Sequence, residues 1–229
     1  MNTIAMGSRD QLTGRIVNLM HAFRTQVFVN RLGWLLPTTE GLERDRYDTA
    51  NARYVVISDE TEQVVASARL LPTTGAYMLP ELFPQLLAGQ APPSDANLWE
   101  LSRFATSVRT SGDGRVLSLS NQTLDLLDCV FDMARQYNVN RLILATSIGI
   151  ERLMLRSGLD AHRFASPTTV DGTLCVAVII EVPAKQPHLT PLETTTTRDQ
   201  RRGYRVSDCV NGEASVVPQE QLQEQPGSA

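Results

Sequence analysis

The chain has 229 residues, 42% of them hydrophobic and 20% charged, with a formal net charge of −4. That length can bury a substantial core, and that balance excludes a disordered or fibrous protein. The acidic excess argues against nucleic acid as a partner, no run reaches membrane-spanning length, and Met1–Asp10 carries no apolar signal core.

The expectation is therefore a cytoplasmic globular protein. Cys129, Cys175 and Cys209 form no closely spaced pair, and the three histidines are scattered. Both facts point to reduced thiols and to no metal site. Ile16, Leu19, Met20, Phe23 and Val27 recur at helical spacing and predict an amphipathic helix over the first ~25 residues, broken by Gly33 and Pro37. A charged stretch follows through Gly41–Asn51. Tyr54–Ile57 and Val64–Leu71 read as a hairpin around Asp59-Glu60-Thr61-Glu62, ended by Pro72 and Gly75. Leu79–Ala88 reads as a short helix and Gln90–Asp95 as a loop.

Leu98–Val108 reads as a strand, followed by a Gly-rich turn at Ser111–Gly114. Val116–Tyr137 is a long helix with Leu119, Leu124, Leu127, Phe131 and Ala134 turned inward. Arg141–Thr146 is a buried strand, Ile150–Ser157 a helix stopped by Gly158, and Thr173–Val182 a further strand. This order implies a single-domain α/β sandwich over residues 1–183, with helices on both sides of a mixed, mostly antiparallel sheet. The helical crossover makes strands 98–108 and 141–146 parallel. Residues 184–229 turn to Thr, Gln, Glu and Pro and read as a polar, flexible extension.

The chemistry gathers in a few segments. In Trp99-Glu100-Leu101-Ser102-Arg103-Phe104, strand alternation puts Glu100, Ser102 and Phe104 on one face and Trp99, Leu101 and Arg103 on the other. Charges on both faces of a strand must find partners, since burying them alone costs several kcal/mol. Arg69 lies in an otherwise apolar strand and needs acceptors for its fork. Those are either Glu100 or the carboxylates of the 43–48 segment; alternatively, Glu43, Asp45 and Asp48 pair with Arg24 and Arg103. Such carboxylates also suit a cationic amine or sulfonium. Arg24 and Phe28 lie one helical turn apart, and Trp34 follows Gly33, where it can fold over a cavity. Arg109-Thr110-Ser111-Gly112-Asp113-Gly114 has the R-x-x-G-x-G form that cradles pyrophosphate, but Asp113 places a negative charge in that cradle. Arg152 and Arg156, flanked by Arg141 and Arg163, form either a solvated basic face or a dock for an anionic partner.

Taken in order, Arg24-x3-Phe28-x5-Trp34, Glu43-x-Asp45-x2-Asp48, Arg69 and Glu100-x2-Arg103 resemble the LuxI-type acyl-homoserine lactone synthases. Arg31–Trp34, Arg69–Thr74 and Met78-Leu79-Pro80 match as well, and the likeness runs from about Arg24 to Phe164. The resemblance implies a fold like that of the GCN5-related acetyltransferases. It also implies an enzyme that transfers an acyl group from acyl-acyl carrier protein to the amine of S-adenosylmethionine. The methionine carboxylate then displaces methylthioadenosine to close a lactone, a quorum-sensing signal, with no cofactor.

On this reading Glu100 is the base, acting directly or through water, beside Ser102. Glu43, Asp45 and Asp48 answer the substrate's positive charges, directly or by positioning Arg24 and Arg69, and Arg103 ties the strand to the acidic loop. Backbone N–H groups around Glu100–Phe104 hold the oxyanion, while Phe28 and Trp34 exclude water. Phe83, Leu101, Leu144, Met154 and Leu155 border the acyl chain, Phe104 is a further substrate-binding residue, and Arg152 and Arg156 meet the carrier protein. Leu144 stands where synthases of 3-oxo products tend to carry Thr, so the expected chain is medium-length and unsubstituted, or 3-hydroxy. Monomer and weak dimer are both compatible with the sequence. The competing activity is an acyl-CoA-dependent N-acyltransferase acting on another amine; a non-catalytic sensor would not need the charged set.

Overall fold

The structure, a computed structural model, describes residues 2–107 and 119–184. Its elements are β1 (Thr3–Gly7), α1 (Gly14–Arg24), β2 (Thr38–Thr39), β3 (Leu42–Glu43), β4 (Arg53–Ser58), β5 (Val64–Pro72) and α2 (Met78–Leu82). They continue with β6 (Leu98–Thr106), α3 (Asn121–Gln136), β7 (Arg141–Ser147), α4 (Ile148–Arg156), β8 (Ala161–Arg163), β9 (Thr168–Val170) and β10 (Thr173–Glu181). Eight strands form one sheet in the order β1-β4-β5-β6-β7-β10-β8, with β9 also on β10. Every pairing is antiparallel except β6 with β7, the two strands joined through α3.

Strand alternation divides the core between two layers of helix. Tyr54, Val56, Leu71, Ala177 and Ile179 pack with Val17, Met20 and Phe23 of α1 and with Met78, Leu79 and Leu82 of α2. Val55, Ala68, Leu70, Val176 and Val178 pack with Leu126, Val130 and Phe131 of α3 and with Leu153 and Met154 of α4. Each large aliphatic residue so enclosed contributes about 1.5–3 kcal/mol. The expected α/β sandwich and its parallel pair are both present. Among the described residues no helix is long and apolar enough to cross a membrane. Cys129 and Cys175 are buried free thiols. Cys209, the Arg109–Gly114 loop and the extension beyond Ala184 lie outside the described residues.

The structure departs from the sequence reading in three places. The chain opens with an edge strand, Thr3↔Ser58 through Gly7↔Tyr54, and only then enters α1, where the Thr13 side chain accepts from Ile16 N–H. The helical apolar spacing begins at Ile16, so nothing in it covered the first dozen residues. The helix then widens into a π-helical turn over Thr25–Arg31, which ends at Gly33 with φ of 70°. Secondly, the segment 79–88 breaks at Phe83 into α2 and a 3-10 turn, Pro84–Leu87.

The third departure shapes the site. Ser67 pairs with Ala105 and Arg69 with Ser102, so Arg103 and Phe104 together stand opposite the single residue Ala68. Arg103 takes a φ of 50° to make this bulge. Regular alternation predicted Arg103 opposite Glu100; instead Arg103 turns to the Glu100 and Ser102 face, and Phe104 joins Trp99 and Leu101 in the other layer.

The parallel pair also parts early. Its ladder runs only from Leu98↔Arg141 to Glu100↔Ile143, and beyond it β6 and β7 diverge. That opening is where the cavity described below forms.

Candidate active site

Three guanidiniums meet three carboxylates on the α1–α2 side of the sheet. Arg24 comes from α1, Arg69 from β5 and Arg103 from the β6 bulge; Glu43 comes from β3, and Asp45 and Asp48 from the loop after it. Arg24 donates through Nε to Glu43 and grips Asp48 with both terminal nitrogens at 2.8 and 3.1 Å. Arg69 reaches Asp45 at 2.5 and 3.0 Å, Asp48 at 2.9 Å and the Ser102 hydroxyl at 3.1 Å. Arg103 donates to Glu43 at 3.1 and 3.2 Å and lies 2.8 Å from Asp45. The Tyr54 hydroxyl adds a bond to Asp48 at 3.0 Å.

All six charged groups are buried, and their formal charges cancel. Burying each ion costs several kcal/mol, recovered only when every partner is present in good geometry. Burial by itself disfavours the Asp45 anion, but the Arg69 and Arg103 charges win and hold its carboxyl at about 2. Asp48 is likewise held below the usual carboxylate range by Arg24 and Arg69, against its own burial.

Glu100 stands apart from this lattice. Its two oxygens accept from the N–H groups of Met78 and Leu79, at 2.8 and 2.6 Å, and so cap α2. Of the partners open to Arg69 from the sequence, the acidic loop is the one it takes. Burial pushes the Glu100 carboxyl up to about 7, although both amide bonds and the two nearby arginines favour the anion. Met78 links the two parts, because its Sδ accepts from Arg69 at 3.1 Å and lies 3.7 Å from an Arg103 nitrogen. A methionine in an apolar run reads as core, so nothing in its spacing marks that role. Tyr54 could have been found, because hairpin register sets it directly across from Arg69.

An apolar cavity opens where β6 and β7 part, lined by Leu101, Phe104, Leu144, Met154, Thr146 and Ser102 among others. Among the described residues, Ser102 both lines this cavity and, through its hydroxyl, accepts from Arg69 of the lattice. Two expected lining residues are elsewhere. Phe83 lies in the opposite core layer, beneath α2, because the helix break there turns it to that side. Leu155 is half exposed on α4, on the helix face opposite the core-facing Leu153 and Met154. Phe28 is fully buried with Trp34 stacked on it at 5.1 Å, and Arg103 lies over the Phe28 ring at 5.6 Å. The aromatic pair thus walls the lattice and not the apolar cavity.

Arg152 and Arg156 are both exposed on α4, on either side of Leu155. Their neighbours are occupied: Arg163 pairs with Glu151 at 2.5 and 2.8 Å and Arg141 with Asp95 at 2.7 Å. Among the described residues no group of His, Cys, Asp and Glu is arranged to hold a metal ion.

Because the lattice is closed, removing one member leaves buried charge without a partner. Arg69→Met should cost about 3–5 kcal/mol in denaturant unfolding. Opening the exposed Arg15–Glu62 pair with Arg15→Ala should leave the midpoint nearly unchanged. Equal effects would show that the lattice contributes no more than a surface pair.

Comparison with known proteins places this geometry. Residues 10–188 match the family model described as "Autoinducer synthase". An acyl-homoserine-lactone synthase of Pseudomonas aeruginosa is 35% identical over 184 residues, 80% of this chain and 90% of that one. The crystal structure of the AHL synthase LasI superposes with a TM-score of 0.71 at 33% identity, covering 88% of this chain and 99% of that one. TofI, solved in a ternary complex with an inhibitor and MTA, gives 0.67 at 35% identity, over 80% of this chain and 92% of its own. The CoA-dependent synthase BjaI, solved with SAM and isopentyl-CoA, shares the fold at 24% identity and a TM-score of 0.70, over 80% of this chain and 85% of that one. The fold is that of the GCN5-related acetyltransferases, and the chain belongs to the autoinducer synthase family, whose activity is the acyl transfer of an acyl-homoserine-lactone synthase.

Proposed function

We propose that the chain moves an acyl group from an acyl carrier protein to the amine of S-adenosylmethionine and then closes the homoserine lactone, releasing methylthioadenosine. The observation that carries this reading is Ser102, whose hydroxyl bonds Arg69 while its residue lines the apolar cavity. A charged substrate held by the lattice and an acyl chain held by the cavity would meet there. The complex of TofI with MTA supports the nucleoside half of the reading.

Each residue then has a task. Asp45, Asp48 and Glu43 set a negative field for the sulfonium and ammonium groups, with Arg24, Arg69 and Arg103 fixing their positions. Phe28 and Trp34 keep water from competing for the thioester. Glu100 accepts the amine proton, and a carboxyl near 7 suits that work at neutral pH. It is not part of the cavity wall, so the proton arrives through an intervening water. The bulge at Arg103 and Phe104 is the point on β6 where a backbone N–H can leave the ladder to bind the oxyanion. The amine attacks the thioester carbon, the carrier thiol leaves, and the carboxylate of the bound methionine group displaces methylthioadenosine.

Two features support the choice of donor and product. Arg152 and Arg156 present an exposed basic patch beside the half-exposed Leu155, fitted to an acidic carrier protein. Leu144 in the cavity wall offers a 3-oxo group no hydrogen bond, which supports a medium-length, unsubstituted chain.

Methylthioadenosine release from S-adenosylmethionine, with acyl-carrier protein against acyl-CoA, tests the reaction and the donor together. Turnover with the carrier substrate and little with the CoA thioester is expected; the reverse would overturn the donor. Arg152→Glu with Arg156→Glu should raise KM for the carrier substrate about tenfold and leave KM for S-adenosylmethionine unchanged.

A raised carboxyl must be ionised to act as a base, so kcat/KM should rise with pH through about 7. Glu100→Gln should lose that limb and about a hundredfold or more in kcat. Full turnover in Glu100→Gln would place the base elsewhere. Mass spectrometry of the lactones should show unsubstituted acyl chains, and a predominantly 3-oxo product would transfer the selectivity to the hydroxyl of Thr146, which shares the cavity wall.

A further inference from the structure

Glu43 is held by its main chain as well as by its carboxylate. His21 Nδ1 lies 2.7 Å from the Glu43 carbonyl oxygen, and the Glu43 N–H donates to the Thr25 hydroxyl at 2.7 Å. The Thr25 hydroxyl in turn has the carbonyls of His21 and Gly41 within reach, each at 3.0 Å. His21 and Thr25 sit four residues apart, on successive turns of the same helical face. They hold the Glu43 main chain at its carbonyl and at its N–H, and Arg24, one residue before Thr25, takes the carboxylate.

This clamp matters because β3 cannot hold its own position. It has two residues and pairs only with β2, also of two residues, in a hairpin separate from the main sheet. Its Glu40-Gly41 turn, with φ of 54° and 76°, fixes the shape of that hairpin but not its place against α1. Yet Glu43 is the carboxylate that spans from Arg24 on α1 to Arg103 on the β6 bulge. A shift of the peptide would move both guanidiniums, and a displacement of 1 Å far from the chemistry can cost about a hundredfold in rate.

The imidazole has no other task in the reaction. Burial, and then the Arg24 charge, hold His21 below its usual range, so it is neutral. Facing a carbonyl oxygen, Nδ1 must carry the proton. His21 is thus a fixed donor whose partner is a backbone acceptor.

We infer that His21 and Thr25 are positioning residues for the acyl transfer, fixing the Glu43 peptide and, through its carboxylate, the guanidiniums of Arg24 and Arg103. The inference rests on the reading that the lattice holds S-adenosylmethionine. His21→Leu and Thr25→Val remove the two bonds; His21→Asn and Thr25→Ser keep an N–H donor and a hydroxyl in their places.

Kinetics by methylthioadenosine release, thermal midpoints, and the Nε–H signals of nitrogen-15-labelled arginine should be measured on all four. Each removing variant should lower kcat/KM for S-adenosylmethionine about tenfold, with KM for the acyl donor unchanged. The Arg24 and Arg103 signals should move toward those of a free guanidinium. Both effects should largely reverse in His21→Asn and Thr25→Ser. Folded His21→Leu and Thr25→Val proteins with wild-type kinetics and unmoved arginine signals would overturn the clamp, as would a loss in which the conservative variants share equally. A wild-type protein that released no methylthioadenosine would overturn the proposed reaction instead, and the arginine signals would then decide the clamp by themselves.

Discussion

The α1–α2 side of the sheet is organised around a neutral block of buried charge: Arg24, Arg69 and Arg103 against Glu43, Asp45 and Asp48. Such a block is costly to bury and weak as a source of net stability, since apolar residues of similar volume would often serve as well. What it provides is fixed direction. Six charged groups locked by mutual bonds present a preset field to whatever enters beside them, with little reorganisation left to do. The sheet, the bulge and the α1 clamp can all be understood as the means of holding that block.

The fold accomplishes this with two irregularities placed side by side. The bulge at Arg103 brings a third guanidinium onto a face where regular alternation supplies none. The early parting of β6 from β7 opens an apolar cavity within one residue of the same stretch. Ser102 lies between them. Buried charge and an apolar cavity normally demand incompatible surroundings, and here one strand separates them by turning its side chains to opposite layers.

Much of this was legible in the sequence. The charged residues, their order and their mutual dependence could be read from the cost of burying arginine and carboxylate without partners, and the parallel pair from the length of the crossover. What escaped reading was set by tertiary structure. Strand alternation assumes an unbroken ladder, so the face of Arg103 came out wrong. Phe83 looked like a cavity residue by type, but a break at the end of α2 turned it to the other layer. The sequence leaves Glu100 open as one possible partner of Arg69, whereas its oxygens are taken by two backbone amides that no side-chain pattern announces. Met78 and the His21–Thr25 grip on Glu43 were hidden for the same reason, since both depend on contacts that the sequence spacing does not encode.

The most direct test is a crystal structure with S-adenosylmethionine bound. The account predicts the sulfonium beside Asp45 and Asp48, the Phe28–Trp34 pair closing over the ligand, and the amine directed to Ser102 at the mouth of the apolar cavity. A ligand seated away from the six-charge block, or one whose amine faces away from Ser102 and the cavity, would contradict it.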